Sequence, residues 1–115
     1  DTLLIEARIR PADIAFLHPG QKAMIKITAY DFSIFGGLDG VLESISAGTI
    51  EDDDGESFYK VKLRTQKNAI AYRGEELPIM PGMTASIDIL TGKKSVLAYL
   101  LKPILRTKQN ALRER

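Results

Sequence analysis

Residues 59–64 read YKVKLR. Tyr59, Val61 and Leu63 fall on one side of an extended chain, and Lys60, Lys62 and Arg64 on the other, because successive side chains of a strand point to opposite faces. The same period recurs on either side of this stretch. Leu3, Ile5, Ala7 and Ile9 alternate with Glu6, Arg8 and Arg10. Ala23, Ile25, Ile27 and Ala29 alternate with Lys22, Lys26 and Thr28, and Met83, Ala85, Ile87 and Ile89 with Thr84, Ser86 and Asp88. Each pattern predicts a strand with one wet and one buried face, the habit of antiparallel sheets. Residues 39–48, DGVLESISAG, predict a weaker strand: Glu43 interrupts the Val41/Ile45 face and points to a bulge. Residues 69–72 and 77–80 predict a minor hairpin around Arg73-Gly74-Glu75.

Two segments depart from the period of two. In PADIAFLHPG, residues 11–20, Pro11 suits a first helical turn and Asp13 its positive end. Ile14 and Leu17 face one way, and Pro19-Gly20 stops the run, so a helix of about two turns is expected to plug one end of a barrel. From Ser95 the apolar period reads as helical, with Val96, Leu100 and Ile104 in one row and Leu97, Leu101 and Leu105 in the next. Pro103 interrupts it and predicts a kink or a helix–turn–helix there. The expected architecture is mainly β: a small antiparallel barrel of five to seven strands over residues 1–92, then a basic amphipathic helical tail over 93–115.

A chain of 115 residues is one domain's worth, and 44% apolar with 27% charged residues is a globular composition. The absence of cysteine excludes a disulfide scaffold, a thiolate metal site and a Cys nucleophile, and it suits an oxidising compartment. A net charge of +1 argues against binding nucleic acid through bulk electrostatics. Its distribution is uneven. Residues 1–90 hold nine Lys/Arg against fourteen Asp/Glu, a balance of −5, and residues 91–115 hold seven Lys/Arg against one acid, a balance of +6. The chain begins at Asp1 and passes straight into a strand pattern, so it reads as a piece of a longer protein whose anchor lies upstream.

No catalytic device assembles from this inventory, and the chain is not expected to be an enzyme. His18, the single histidine, has no nucleophile elbow to serve and no thiolates with which to build a zinc site. The acidic run Glu51-Asp52-Asp53-Asp54-Gly55-Glu56 fails as an EF-hand: with Gly55 at the sixth position the loop would start at Ile50 and end at Val61, where carboxylates are required. It reads as a solvated loop that discourages edge pairing. Gly36-Gly37 lacks the Lys-Ser/Thr of a phosphate loop, and Glu75-Glu76 are adjacent rather than opposed. No cofactor and no metal are expected.

Two features stand out against this background. The stretch AYDFSIFGG places Tyr30, Phe32, Ile34 and Phe35 in a strand-end loop, which means either that the loop folds back on the core or that it is a contact surface. The leucine-rich basic tail is either a helix packed on the barrel, a membrane-interface helix or a partner-docking segment.

PADIAFLHPGQKAMIKI resembles the barrel segment of periplasmic adaptor (membrane fusion) proteins. LPIMPGMTASIDILTGKKSVLAYLLKPI followed by ALRER is similar to the C-terminal end of the HlyD (hemolysin D) family, the adaptors of type I secretion. The Pro81-Gly82-Met83 and Thr91-Gly92-Lys93 turns and Tyr99-Leu100-Leu101-Lys102-Pro103 carry the likeness, and AYDFSIFGGLDGVLESIS fits that family's second hairpin. The resemblance implies a periplasmic protein held to the inner membrane by a segment outside this chain, with a long helical hairpin and a lipoyl-like domain besides. It implies assembly into rings, commonly hexameric, that join an inner-membrane ABC transporter to an outer-membrane TolC-like channel for the export of unfolded proteins. On that reading the interface residues are Tyr30, Phe32, Ile34 and Phe35 together with Tyr99, Leu100, Leu101 and Pro103. The tail would lie nearest the inner membrane and the transporter. An adaptor for drug or small-molecule efflux and a stand-alone ligand-binding barrel are the competing readings.

Overall fold

The computed structural model describes residues 2–67, 69–90 and 94–106, the stretch 102–106 through its backbone alone. Its strands are β1 (Thr2–Ile9), β2 (Lys22–Ile27), β3 (Leu38–Ile45), β4 (Ile50–Glu51), β5 (Ser57–Thr65), β6 (Ile70–Tyr72), β7 (Glu75–Leu77), β8 (Thr84–Ile89) and β9 (Lys94–Arg106). A 3₁₀ helix (Pro11–Phe16) and a one-turn helix α1 (Phe32–Phe35) interrupt them. Six strands close a barrel in the order β1-β9-β8-β2-β3-β5, and β5 pairs back with β1. All these pairings are antiparallel. β4 hangs on the start of β5 alone, and β6 and β7 form a separate hairpin.

Closure follows from the alternation. Ile5, Ala7 and Ile9, Ala23, Ile25 and Ile27, Val61 and Leu63, and Ala85, Ile87 and Ile89 all bury their side chains in one cluster, while the intervening charges stay outside. All six barrel strands contribute buried apolar side chains to this cluster. The predicted short helix is present as the 3₁₀ helix, with Pro11 in its first turn. Ile14 packs half-buried on the core and Leu17 is buried behind it. The minor hairpin is present too, with its second strand at Glu75–Leu77 and not at residues 77–80. Its two-residue turn puts Arg73 at φ 53° and Gly74 at φ 83°, the doubly positive geometry whose twist matches flanking strands.

The bulge falls at Glu43. Leu42 pairs with Leu63 but Ser44 with Lys62, so Glu43 is the extra residue. One inserted residue exchanges the faces of everything after it. Ile45 therefore packs against the core, while Val41 stays on the outer face at 36% exposure. The polar Ser44 is spared burial.

The tail requires a correction. Residues 94–106 are not an amphipathic helix: they form β9, the longest strand, inserted between β1 and β8. A continuous apolar run satisfies both periods, and SVLAYLL is such a run. Val96, Ala98 and Leu100 are buried in the core and Leu97 and Tyr99 are exposed, which is a period of two. Without this strand β1 and β8 would each leave a row of backbone N–H and C=O groups unpaired. β9 satisfies both edges, and that outweighs any helical preference of Leu and Ala. No kink forms at Pro103, whose backbone lies opposite Ile5. The barrel thus extends across position 92, and the helical expectation for residues 107–115 lies outside the described residues. Among the described residues no helix is long and apolar enough to cross a membrane.

Candidate functional site

The aromatic loop both folds back and projects. Asp31 caps α1 by accepting hydrogen bonds from the Ser33 N–H at 2.9 Å and the Ser33 hydroxyl at 2.7 Å. This turn sends its four apolar residues in two directions. Phe35 turns inward, edge-on to Tyr30 and to Tyr72 with ring centroids 6.1 and 5.0 Å away. Tyr30 donates its hydroxyl to the Pro78 carbonyl at 2.6 Å, which ties the loop to the β6–β7 segment. Phe32 and Ile34 project outward, 42% and 53% exposed. Phe32 rests where the chain doubles back: a Cβ on Gly37 would lie 2.6 Å from the Ile25 carbonyl oxygen and 3.3 Å from the Phe32 ring.

β9 divides its candidate residues in the same way. Tyr99 is half-exposed on the outer face, and Leu100 is buried in the core. Leu101 is the unpaired residue of a second bulge, between the Ala7–Leu100 and Glu6–Lys102 pairs. Pro103 is placed by its backbone opposite Ile5.

Strand register brings the two regions onto one face. Tyr99 lies opposite Arg8 on one side and Thr84 on the other. Leu97 lies opposite Ser86, which lies opposite Lys26. The Lys26 ammonium sits 4.3 Å from the centre of the Phe32 ring and 2.8 Å from the Asp88 carboxylate. Two strand spacings, about 10 Å, therefore separate the column of Leu97 and Tyr99 from the Lys26–Phe32 stack. Asp88 stabilises the ground between them. It pairs with Lys26 and accepts the Ser95 hydroxyl at 2.6 Å, and these bonds, Lys26 first, hold its carboxyl below the ordinary range.

Beside Tyr99 the face deepens into a cleft of about 300 Å³. Its floor is Leu97 and Tyr99, and its far wall is the β4–β5 hairpin with Phe58, Asp52 and Glu56. The Arg8 guanidinium lies 4.1 Å above the Phe58 ring and 2.7 Å from the Asp52 carboxylate, joining hairpin to barrel. Asp52 also organises the acidic loop, since its other oxygen accepts the Asp54 and Glu56 N–H groups at 2.9 Å each. The backbone bond from Glu56, and then Arg8, hold its carboxyl low. Among the described residues no group of three or more His, Cys, Asp or Glu could hold a metal ion. His18 is exposed at the end of the 3₁₀ helix, its N–H bound to Gln21 Oε1.

Sequence reasoning missed Leu97, Arg8 and Phe58 as members of this face. A period-two reading of residues 95–101 would have found Leu97. Arg8 and Phe58 carry no local signal, because only the β1–β5 register sets one beside the other. The outer face thus exposes Phe32, Ile34, Leu97 and Tyr99 beside the paired charges of Arg8–Asp52 and Lys26–Asp88.

Residues 3–92 match the family described as AprE-like, beta-barrel domain. The chain is 33% identical over 115 residues to hemolysin secretion protein D, plasmid, of Escherichia coli, which is all of this chain and 24% of that protein. Leukotoxin export protein LtxD of Aggregatibacter actinomycetemcomitans is 31% identical over 115 residues, again all of this chain and 24% of the relative. Protein CyaD of Bordetella pertussis is 32% identical over 111 residues, 96% of this chain and 25% of that protein. The chain thus spans about a quarter of the length of the curated relatives it matches. No solved structure matches it.

Proposed function

Since the chain belongs to the AprE-like beta-barrel domain family, we propose that it is the barrel of a type I secretion adaptor and acts by holding its neighbours in place, without turnover of any compound. The observation that carries this reading is the likeness along the entire chain to proteins named for hemolysin secretion and leukotoxin export. Two further facts support it. The inward-facing side chains of the barrel strands pack into one apolar cluster, which disfavours a stand-alone binding barrel with a polar-lined central site. The outer face exposes Phe32, Ile34, Leu97 and Tyr99 together with satisfied charges, as a surface for protein contact would.

In the proposed setting the parent protein is anchored in the inner membrane and spans the periplasm. It joins an inner-membrane ABC transporter to an outer-membrane TolC-like channel and assembles as a ring, a hexamer on the resemblance noted above. The basic C-terminal segment lies on the membrane and transporter side. Of the residues singled out from the sequence, Phe32, Ile34 and Tyr99 make the contacts, and Tyr30, Phe35 and Leu100 set their positions from within. The test is made in the full-length protein, supplied to cells lacking it. The triple variant F32S/I34S/Y99S replaces side chains that are 42%, 53% and 49% exposed, so the barrel is expected to fold. Exported toxin in the medium should fall at least tenfold at unchanged adaptor level. Undiminished export would overturn the reading.

A further inference from the structure

The cleft between the β4–β5 hairpin and β9 is not explained by the barrel's own packing. Beyond the Tyr59–Ile9 pair β5 leaves β1, and residues 50–58 pair only within their own hairpin. The hairpin stands off the barrel as a jaw, with Phe58 facing Tyr99 and Leu97 across the gap and Arg8 fixing its spacing. The jaw is strongly acidic. Residues 51–56 hold five carboxylates. Arg8 is committed to Asp52 and Arg10 to Asp13, and among the described residues no cation pairs with Glu51, Asp53, Asp54 or Glu56. The occupant that complements such a cleft carries positive charge and a large apolar anchor on an extended backbone.

This chain contains that chemistry. Residues 102–115 hold five Lys/Arg against one acid, and Ala111-Leu112 is flanked by Lys108, Arg113 and Arg115. The strand geometry bears on whose segment it is. β9 passes the cleft at Leu97 and Tyr99 and runs on to Arg106, opposite Thr2. Seven residues of strand, about 23 Å, separate Tyr99 from Arg106. Leu112 is six residues beyond Arg106, and six residues span at most about 22 Å when fully extended. A chain that had to turn back along its own barrel would therefore fall short of the cleft, whereas the same segment of a neighbouring copy is under no such limit.

We propose that the cleft receives residues 107–115 of a second copy. The cleft is lined by Leu97 and Tyr99 of β9 and the basic residues follow Arg106 in the chain, so the contact would join different surfaces of the two copies and be heterologous, the kind that closes a ring when its rotation permits. The proposal deepens the self-association reading above and rests on it for its biological setting. Leu112 fills the gap between Phe58 and Tyr99, Arg113 and Arg115 meet the hairpin carboxylates, and Arg8 acts as the positioning residue of the jaw.

The absence of cysteine allows one spin label to be placed at will. An isotopically labelled chain is mixed with an unlabelled chain carrying a nitroxide at A111C, and amide broadening is read by NMR. Broadening at Phe58, Leu97 and Tyr99 of the labelled copy is expected, with none at Val41 or Leu90, whose exposed side chains line no part of the cleft. It should decline at least threefold between 50 and about 300 mM salt, as an exposed charge contact is screened, and disappear with D53K/D54K or with Y99S in the labelled copy. Broadening confined to a chain that bears both isotope and nitroxide would identify the chain's own segment as occupant and overturn the proposal. So would no broadening, or broadening indifferent to both variants. Because this measurement requires no export, its failure and a failure of the adaptor reading remain separate results.

Discussion

Replacing Val96 and Leu97 one at a time tests the strand that closes the barrel. The two residues are neighbours in an apolar run, and a helix packed on the barrel would use both rows. In β9 they face opposite ways: Val96 is 1% exposed within the core and Leu97 is 49% exposed on the outer face. Val96→Ala removes two buried carbons. At about 0.8 kcal/mol per buried methylene-sized group, with a cavity contribution added, the loss is about 2 kcal/mol. Leu97→Ala removes three carbons, more atoms than at Val96, but half of that surface already meets water and no cavity forms, so the loss is at most about 1 kcal/mol. Urea denaturation followed by far-ultraviolet circular dichroism reads the difference. With a slope of about 1.5 kcal/mol per molar for a domain of this size, the midpoint should fall by about 1.3 M for V96A and by at most about 0.7 M for L97A. Equal losses, or a larger loss at Leu97, would refute the period-two assignment and restore the helix.

Thr65 is the buried polar residue of the core cluster's rim, and its hydroxyl accepts the Leu3 N–H at 3.2 Å and donates to a carbonyl, with Leu3 and Lys67 both in reach. Thr65→Val should cost about 1–3 kcal/mol by stranding those backbone groups, measured as the same urea midpoint. Gly37→Ala would place a Cβ 2.6 Å from the Ile25 carbonyl oxygen, so the β2–β3 loop must shift; thermal unfolding should show a lower Tm, and amide shifts should move at Phe32 and Ile34. Asp88 has a folded-state pKa held below 3.8 by Lys26 and Ser95. A depressed carboxyl stabilises the fold fully above its unfolded value and loses that stabilisation as pH falls through the folded value. Asp88→Asn should therefore be less stable than the parent at neutral pH, with the gap narrowing below about pH 4 in acid-unfolding curves.

The barrel strands were legible because each alternating segment carries its own answer: YKVKLR can bury only one face. The bulge at Glu43 was legible for the same reason, as the one charge that breaks a period. β9 was not legible locally. An apolar run such as VLAYLL satisfies strand and helix alike, and what selects the strand is the pair of unpaired edges on β1 and β8, which lie far away in sequence. The candidate face shows the same division. Phe32 and Ile34 stood out as apolar residues in a strand-end loop, and they are exposed. Their neighbours Tyr30 and Phe35 carried the same signal and went inward, because Tyr72 and the Pro78 carbonyl from the β6–β7 segment were there to receive them.

The second bulge follows from the same demand for closure. β9 pairs with β1 from Ala98 to Arg106, yet beyond Thr84 its other neighbour changes from β8 to the turn before it: Leu100 donates to the Met83 carbonyl and accepts from the Gly82 N–H. At that change of partner the ladder inserts Leu101. The insertion lies two residues after Tyr99, which lines the cleft. Bulges twist strands locally and end or re-aim pairing, so β9 is re-aimed just past the cleft floor. Deleting the extra residue would exchange the inner and outer faces of the strand on one side of it. One inserted residue thus lets Leu100 stay in the core and Tyr99 on the outer face while the pairing with β1 resumes at Lys102.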